Sequence, residues 1–128
     1  MNKVIDSQSL PGWEVKKLGE VCSIIKRGIP PKYIENEGMR VVNQKCIRNH
    51  EIDYSLCRRH NTSVKNVPEE RIIEIGDILI NSTGTGTLGR IAQVRTQPVE
   101  QTTVDTHVTI ARPIKDKFFI DYVGYIMI

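Results

Sequence analysis

Apolar and polar residues alternate along much of the chain with a period of two, the pattern of half-buried strands. Trp13-Glu14-Val15-Lys16-Lys17-Leu18, alternating in its first half, reads as a short strand behind the turn signal Leu10-Pro11-Gly12. Arg40-Val41-Val42-Asn43-Gln44 predicts a strand with Gln44 at its end. Ile78-Leu79-Ile80, apolar throughout and preceded by the turn pair Gly76-Asp77, is the best candidate for a buried strand. Residues 90–95 alternate cleanly and return from the Gly/Thr/Ser loop of residues 81–89, which gives a hairpin-like unit. Residues 103–112 form one more β-prone run, ended by Pro113. Residues 19–25 fit either a helical turn or a strand. Residues 28–33 form a loop, because Pro30-Pro31 removes donors and forces extended backbone. Residues 45–70 are polar, with turns expected at Asn49-His50 and Asn61-Thr62. Val67-Pro68-Glu69-Glu70 predicts a helix start, with Pro68 at the first helical position and acids in the first turn. Residues 118–128 carry apolar side chains at helical spacing and stop in mid-element.

Composition strengthens the β reading. There are 18 Ile, 12 Val and 9 Thr against 5 Leu and 2 Ala. β-branched residues favour strands, whereas Leu and Ala are the common helix formers. The expected fold is α+β: mainly β, a twisted or curled mixed sheet with a few short helices and a truncated C-terminal helix. The 128 residues suit one domain, read as a tail over residues 1–9 and a domain over residues 10–128, cut short at its C-terminus. No apolar run reaches the roughly 20 residues of a membrane span, and the first residues lack a signal-peptide core. A cytoplasmic protein is expected. Cys22, Cys46 and Cys57 contain no Cys-x-x-Cys and are odd in number, which fits reduced, buried thiols rather than a zinc ribbon or a disulfide framework.

Net charge is +3, but it is unevenly placed. Residues 22–65 hold nine basic side chains (Lys26, Arg27, Lys32, Arg40, Lys45, Arg48, Arg58, Arg59, Lys65) and four acidic ones, a net of +5. Such asymmetry points to a face for a polyanion. Gly84-Thr85-Gly86-Thr87-Leu88-Gly89 matches the G-x-G-x-x-G pattern of dinucleotide sites. That mechanism needs a helix next, and the residues that follow have a β period. A loop of this kind suits a groove instead: its glycines allow close approach, and Ser82, Thr83, Thr85 and Thr87 offer hydroxyls, and Asn81 an amide, for phosphates and base edges. The histidines His50, His60 and His107 show no metal-ligand spacing. Asp6 with Glu14 and Lys16 is similar to the acid–acid–lysine arrangement of metal-dependent nucleases.

Three blocks in order carry a family resemblance over about residues 10–128. Leu10-Pro11-Gly12-Trp13-Glu14-Val15-Lys16-Lys17-Leu18-Gly19-Glu20-Val21 resembles the opening of a target recognition domain from the DNA specificity subunit of type I restriction–modification systems. Gly76-Asp77-Ile78-Leu79-Ile80-Asn81 followed by Gly86-Thr87-Leu88-Gly89-Arg90 is similar to that family's internal block, and His107-Val108-Thr109-Ile110-Ala111-Arg112-Pro113 falls where its next block is expected. The resemblance implies a mainly β domain that reads one half of a split site in double-stranded DNA without catalysis. It further implies a methyltransferase (modification) subunit and a restriction subunit as partners, with S-adenosylmethionine, Mg and ATP bound in those subunits rather than by this chain. Residues 1–128 hold one such domain, so the second copy and the spacer helices that the resemblance implies are expected beyond Ile128.

The residues expected to touch DNA are Lys26, Arg27, Lys32, Tyr33, Gln44, Lys45, Arg48, Arg58, Arg59, Ser82, Thr83, Thr85, Thr87 and Arg90. Lys and Arg would neutralise phosphates. Gln44 would read adenine, and Arg48 or Arg90 guanine, in the major groove. Two other classes compete: a non-catalytic protein-interaction module that docks to a partner subunit, and a metal-dependent nuclease built on Asp6, Glu14 and Lys16.

Overall fold

The computed structural model describes residues 22–83 and 86–114. Their ten strands are β1 (Cys22–Arg27), β2 (Tyr33–Ile34), β3 (Met39–Val42), β4 (Ile47–Arg48), β5 (Glu51–Ile52), β6 (Arg58–His60), β7 (Ile78–Asn81), β8 (Ile91–Gln93), β9 (Thr102–Val104) and β10 (Val108–Pro113). They form two four-stranded sheets and one two-stranded hairpin.

The first sheet, ordered β1-β10-β7-β8, is antiparallel throughout. Its inner strands β7 and β10 are buried at almost every position, which explains their near-continuous apolar runs. The second sheet, ordered β2-β6-β3-β9, is mixed, because β3 pairs with β9 in parallel, Val42 opposite Val104. The third pairs β4 with β5 across the turn Asn49-His50, where both residues have positive φ.

Within the described residues the chain passes between the two large sheets four times, and two of these crossings, β1–β2 and β9–β10, lie side by side. The β9–β10 turn is closed by the amide of Val108 donating to Asp105 O at 3.1 Å and by the amide of His107 donating to Asp105 Oδ1 at 3.0 Å. Beside it, Gly28 and Ile29 leave β1 and donate to Val108 O and Val104 O at 3.0 and 2.9 Å. A Cβ on Gly28 would lie 2.2 Å from the carbonyl oxygens of Val104 and Asp105, so only glycine permits this approach.

The core draws on all three sheets: Val42, Cys46, Ile47, Ile73, Leu79, Ala92, Val94, Val104, Val108 and Ile110, with Ile52, Tyr54 and Cys57 packed against it. Cys46 Sγ and Cys57 Sγ lie 3.8 Å apart as free thiols, and Cys22 is buried as well. One ion pair is also inside. Arg112 donates from Nε to Asp77 Oδ1 at 2.8 Å and from Nη2 to Asp77 Oδ2 at 2.9 Å. Burial pushes the Asp77 carboxyl up while Arg112 opposes that shift, and the carboxylate in turn raises Arg112. Three good donors converge on the carboxylate, counting the Glu74 amide at 2.9 Å, and they favour its charged form.

The molecule is therefore mostly β with mixed sheets, as composition predicts. Details differ from the local patterns. The run of residues 103–112 is two strands in different sheets, parted by the turn at Asp105. Of the ambiguous residues 19–25, those from Cys22 onward belong to strand β1, and residues 19–21 lie outside the described residues. Gln44 does not end a strand but opens a 3-10 turn, Gln44–Cys46, whose cap Asn43 accepts from the Lys45 amide at 2.9 Å. The helix start at Pro68 amounts to one 3-10 turn, Glu69–Arg71, because β-branched Ile72 and Ile73 lead straight back to the core. The residue 1–9 tail, the strand at Trp13 and the C-terminal helix of residues 118–128 lie outside the described residues. No helix among the described residues is long and apolar enough to cross a membrane.

Candidate nucleic-acid interface

One end of the first sheet gathers residues from three stretches of sequence. Asn81, the last residue of β7, donates its amide to Arg90 O at 2.8 Å and accepts from the Gly89 amide at 2.9 Å, closing the β7–β8 loop at its base. Its side-chain Nδ2 then reaches Thr87 O inside that loop at 3.1 Å and Gln44 O in the 3-10 turn at 3.0 Å. From the far side of the loop, Arg90 Nη1 donates to Ile47 O at 3.4 Å, which brings the β4–β5 hairpin and Arg48 alongside. On the other flank, Ser82 donates to His107 O from its amide at 2.9 Å and from Oγ at 3.3 Å. Thr83 Oγ1 lies 2.5 Å from His107 Nδ1. Thr109 completes this flank by donating to Ser82 Oγ at 2.9 Å.

Gln44, Lys45, Arg48, Ser82, Thr83, Thr87 and Arg90 are thus neighbours, although they are dispersed in the sequence. Lys45 and Arg48 are exposed, and Arg90 is half-buried. Asp53 sits close enough to Arg48 to feel its charge. Its carboxyl is held below the usual range chiefly by hydrogen bonds from Ser55. Arg27 ends β1 at the same end of the sheet, since it pairs with Thr109 of β10, and its side chain is exposed. Thr85 lies outside the described residues.

A second group lies on the β2–β6 edge of the other sheet. The guanidinium of Arg58 stacks 3.6 Å from the ring centroid of Tyr33, with both side chains exposed. Burial of the ring pushes the Tyr33 phenol up, with Arg58 pulling weakly the other way. Lys32 is exposed, and its amide donates to Nδ1 of the buried His60 at 2.9 Å, which fixes the strand edge. Arg58 follows Cys57 directly, and Cys57 is in contact with Cys46 of the Gln44 turn, so the two groups join through the core.

Two predicted residues are already occupied by acids. Arg59 forms a bidentate pair with Glu100, raising its own pKa and lowering that of Glu100 through the shared hydrogen bonds. Lys26 pairs with Glu70 at 3.1 Å. Both pairs are solvent-accessible, so each contributes little to stability and either cation could exchange its partner for a phosphate. Arg40 belongs to the same basic stretch but is held inside: it donates to Thr102 Oγ1 at 3.0 Å and covers the Tyr54 ring at 4.1 Å.

Sequence reading named the Asn81 amide among the polar groups of the loop but did not place it among the residues expected to touch DNA. The structure turns that amide inward, to Gln44 O and Thr87 O, rather than toward a groove. Within the described residues no group of three or more His, Cys, Asp and Glu side chains could hold a metal ion. Asp6, Glu14 and Lys16 lie outside the described residues. Residues 11–126 match the model of the type I restriction modification DNA specificity domain. No curated protein matches the chain.

Proposed function

The chain belongs to the type I restriction modification DNA specificity domain family, and from that premise we propose that it reads half of a bipartite site in duplex DNA through the loop end of its first sheet. The observation that carries the reading is the convergence of Gln44 and Thr87 on the Asn81 amide, with Arg90 bonded to Ile47 O next to Arg48. Small hydroxyl and amide side chains beside guanidinium groups are the combination that base edges in the major groove require. Exposed Arg27, Lys32, Lys45 and Arg58 supply the sequence-independent attraction, each neutralised phosphate adding about 0.9 to the salt slope. Gln44 as a bidentate reader of adenine needs a side-chain rotation, because its Oε1 is buried in the free chain. The domain contributes binding and address. Methyl transfer and cleavage belong to the modification and restriction subunits it would direct, where S-adenosylmethionine, Mg and ATP would act.

Selection from a random duplex pool, with the chain alone and with its modification subunit, tests the proposal. Enrichment of one short motif that broadens on Arg90→Ala or Gln44→Ala is the expected result. Equal retention of all sequences, with unchanged retention by both variants, would refute base reading and leave a module that docks proteins only.

A further inference from the structure

Three atoms stand out in the described residues as buried side-chain oxygens without a hydrogen-bond partner: Gln44 Oε1, Asn81 Oδ1 and Thr87 Oγ1. They belong to the same three residues that the Asn81 amide joins. Asn81 is 1% exposed, and its two Nδ2 bonds go to backbone carbonyls, one in the Gln44–Cys46 turn and one in the loop. The unpartnered oxygens of Gln44 and Thr87 are not fastened by bonds of their own. Where these two side chains can reach is therefore set by their backbones, and one amide bonds to both, alongside the local bonds of each element (Arg90 amide to Thr87 O, Cys46 amide to Asn43 O).

We propose that Asn81 is the positioning residue for DNA sequence recognition, its buried side-chain amide holding the Gln44 turn and the Thr87 loop in a single register. The inference rests on the base-reading role proposed above. Asn81 itself touches no base. The main-chain bonds of Asn81 to Gly89 and Arg90 close the hairpin whatever the side chain is, whereas the Nδ2 group ties the hairpin to Gln44 itself, beside the longer bond of Arg90 Nη1 to Ile47 O at the end of the same turn. Losing that group loosens two reading elements at once, leaving the Arg90 bonds to Thr87 O and Ile47 O, while the sheet stays paired. The cost should fall on discrimination between sites, since phosphate contacts from exposed cations do not depend on that register.

The test compares the wild-type chain with Asn81→Ala, Asn81→Ser and Leu79→Val by fluorescence anisotropy on the selected duplex and on a scrambled one. Ser keeps a small polar group in case Ala does not fold, and it is too short to span both carbonyls. Leu79→Val loosens the same strand without touching the linkage. The expected result is a fall of about tenfold or more in the ratio of specific to non-specific affinity for the Asn81 variants, the order of two lost neutral hydrogen bonds. Non-specific affinity and salt slope should stay unchanged, and Leu79→Val should keep the ratio. Hydrogen exchange should quicken together at residues 44–46 and 86–89 in the Asn81 variants only. An unchanged ratio in the Asn81 variants would overturn the inference, as would an equal fall in Leu79→Val, which would mark the effect as lost stability. A wild-type chain that prefers no sequence would instead overturn the base-reading role itself.

Discussion

Replacing Arg112 by Met tests the packing that holds the first sheet together. In the native chain Asp77 is 0% and Arg112 8% exposed. The guanidinium makes two hydrogen bonds to the Asp77 carboxylate and a third, from Nη2 at 2.9 Å, to Ile72 O. Met fills the same volume but leaves the carboxylate with the Glu74 amide as its donor and strips Ile72 O of its partner. Removing one member of a buried pair typically costs about 3–5 kcal/mol, because the remaining charge is stranded away from water. That is a large share of the roughly 5–15 kcal/mol that stabilises a domain. With an m-value of about 2 kcal/mol/M, urea unfolding followed by circular dichroism should show the midpoint falling by about 2 M. Adding Asp77→Leu to Arg112→Met should recover at least half of the loss, since an apolar pair of similar volume commonly replaces a buried ion pair without penalty. A loss below about 1 kcal/mol for Arg112→Met alone, the size seen for exposed pairs, would refute the argument that burial governs this pair.

Other expectations follow from particular contacts. Arg58 is free on one side of its Tyr33 stack, whereas Arg59 is held by Glu100. Arg58→Ala should therefore lower DNA affinity and the salt slope by about one unit, and Arg59→Ala should change both by less, as titrations at several salt concentrations would show. Gly28→Ala forces a methyl against two carbonyl oxygens and should cost at least about 1–3 kcal/mol in thermal or urea unfolding. Burial pushes the Asp105 carboxyl up, with the His107 amide opposing. A carboxyl raised on folding contributes stability that is full below its unfolded pKa of about 3.9 and is lost as pH rises through the folded value. Asp105→Asn keeps an acceptor for the His107 amide, so its Tm relative to wild type should climb between about pH 4 and pH 7. A flat difference across that range would show that burial does not shift Asp105.

The sequence by itself determined the local character of this protein. A surplus of β-branched residues and a period of two place strands at Met39–Val42, Ile78–Asn81, Ile91–Gln93 and Val108–Pro113, because burial of alternate or successive side chains is a local property. Gly, Asn and Thr clusters marked the loops for the same reason, and three ordered blocks were enough to expose the family. Tertiary structure decided what depends on which strand lies next to which. It split the β-prone run at Asp105 between two sheets, since that residue must donate to Val42 O while Val108 joins Asn81. Glu70 and Glu100 were set against Lys26 and Arg59, two of the cations the charge count had assigned to DNA. Finally, it turned the amide of Asn81, read from sequence as one more polar group of the loop, inward to link Gln44 of a turn with Thr87 of that loop. Periodicity records how a side chain divides between water and the interior. Hydrogen bonds across sheets depend on register and on distant partners, and no short window of sequence contains either.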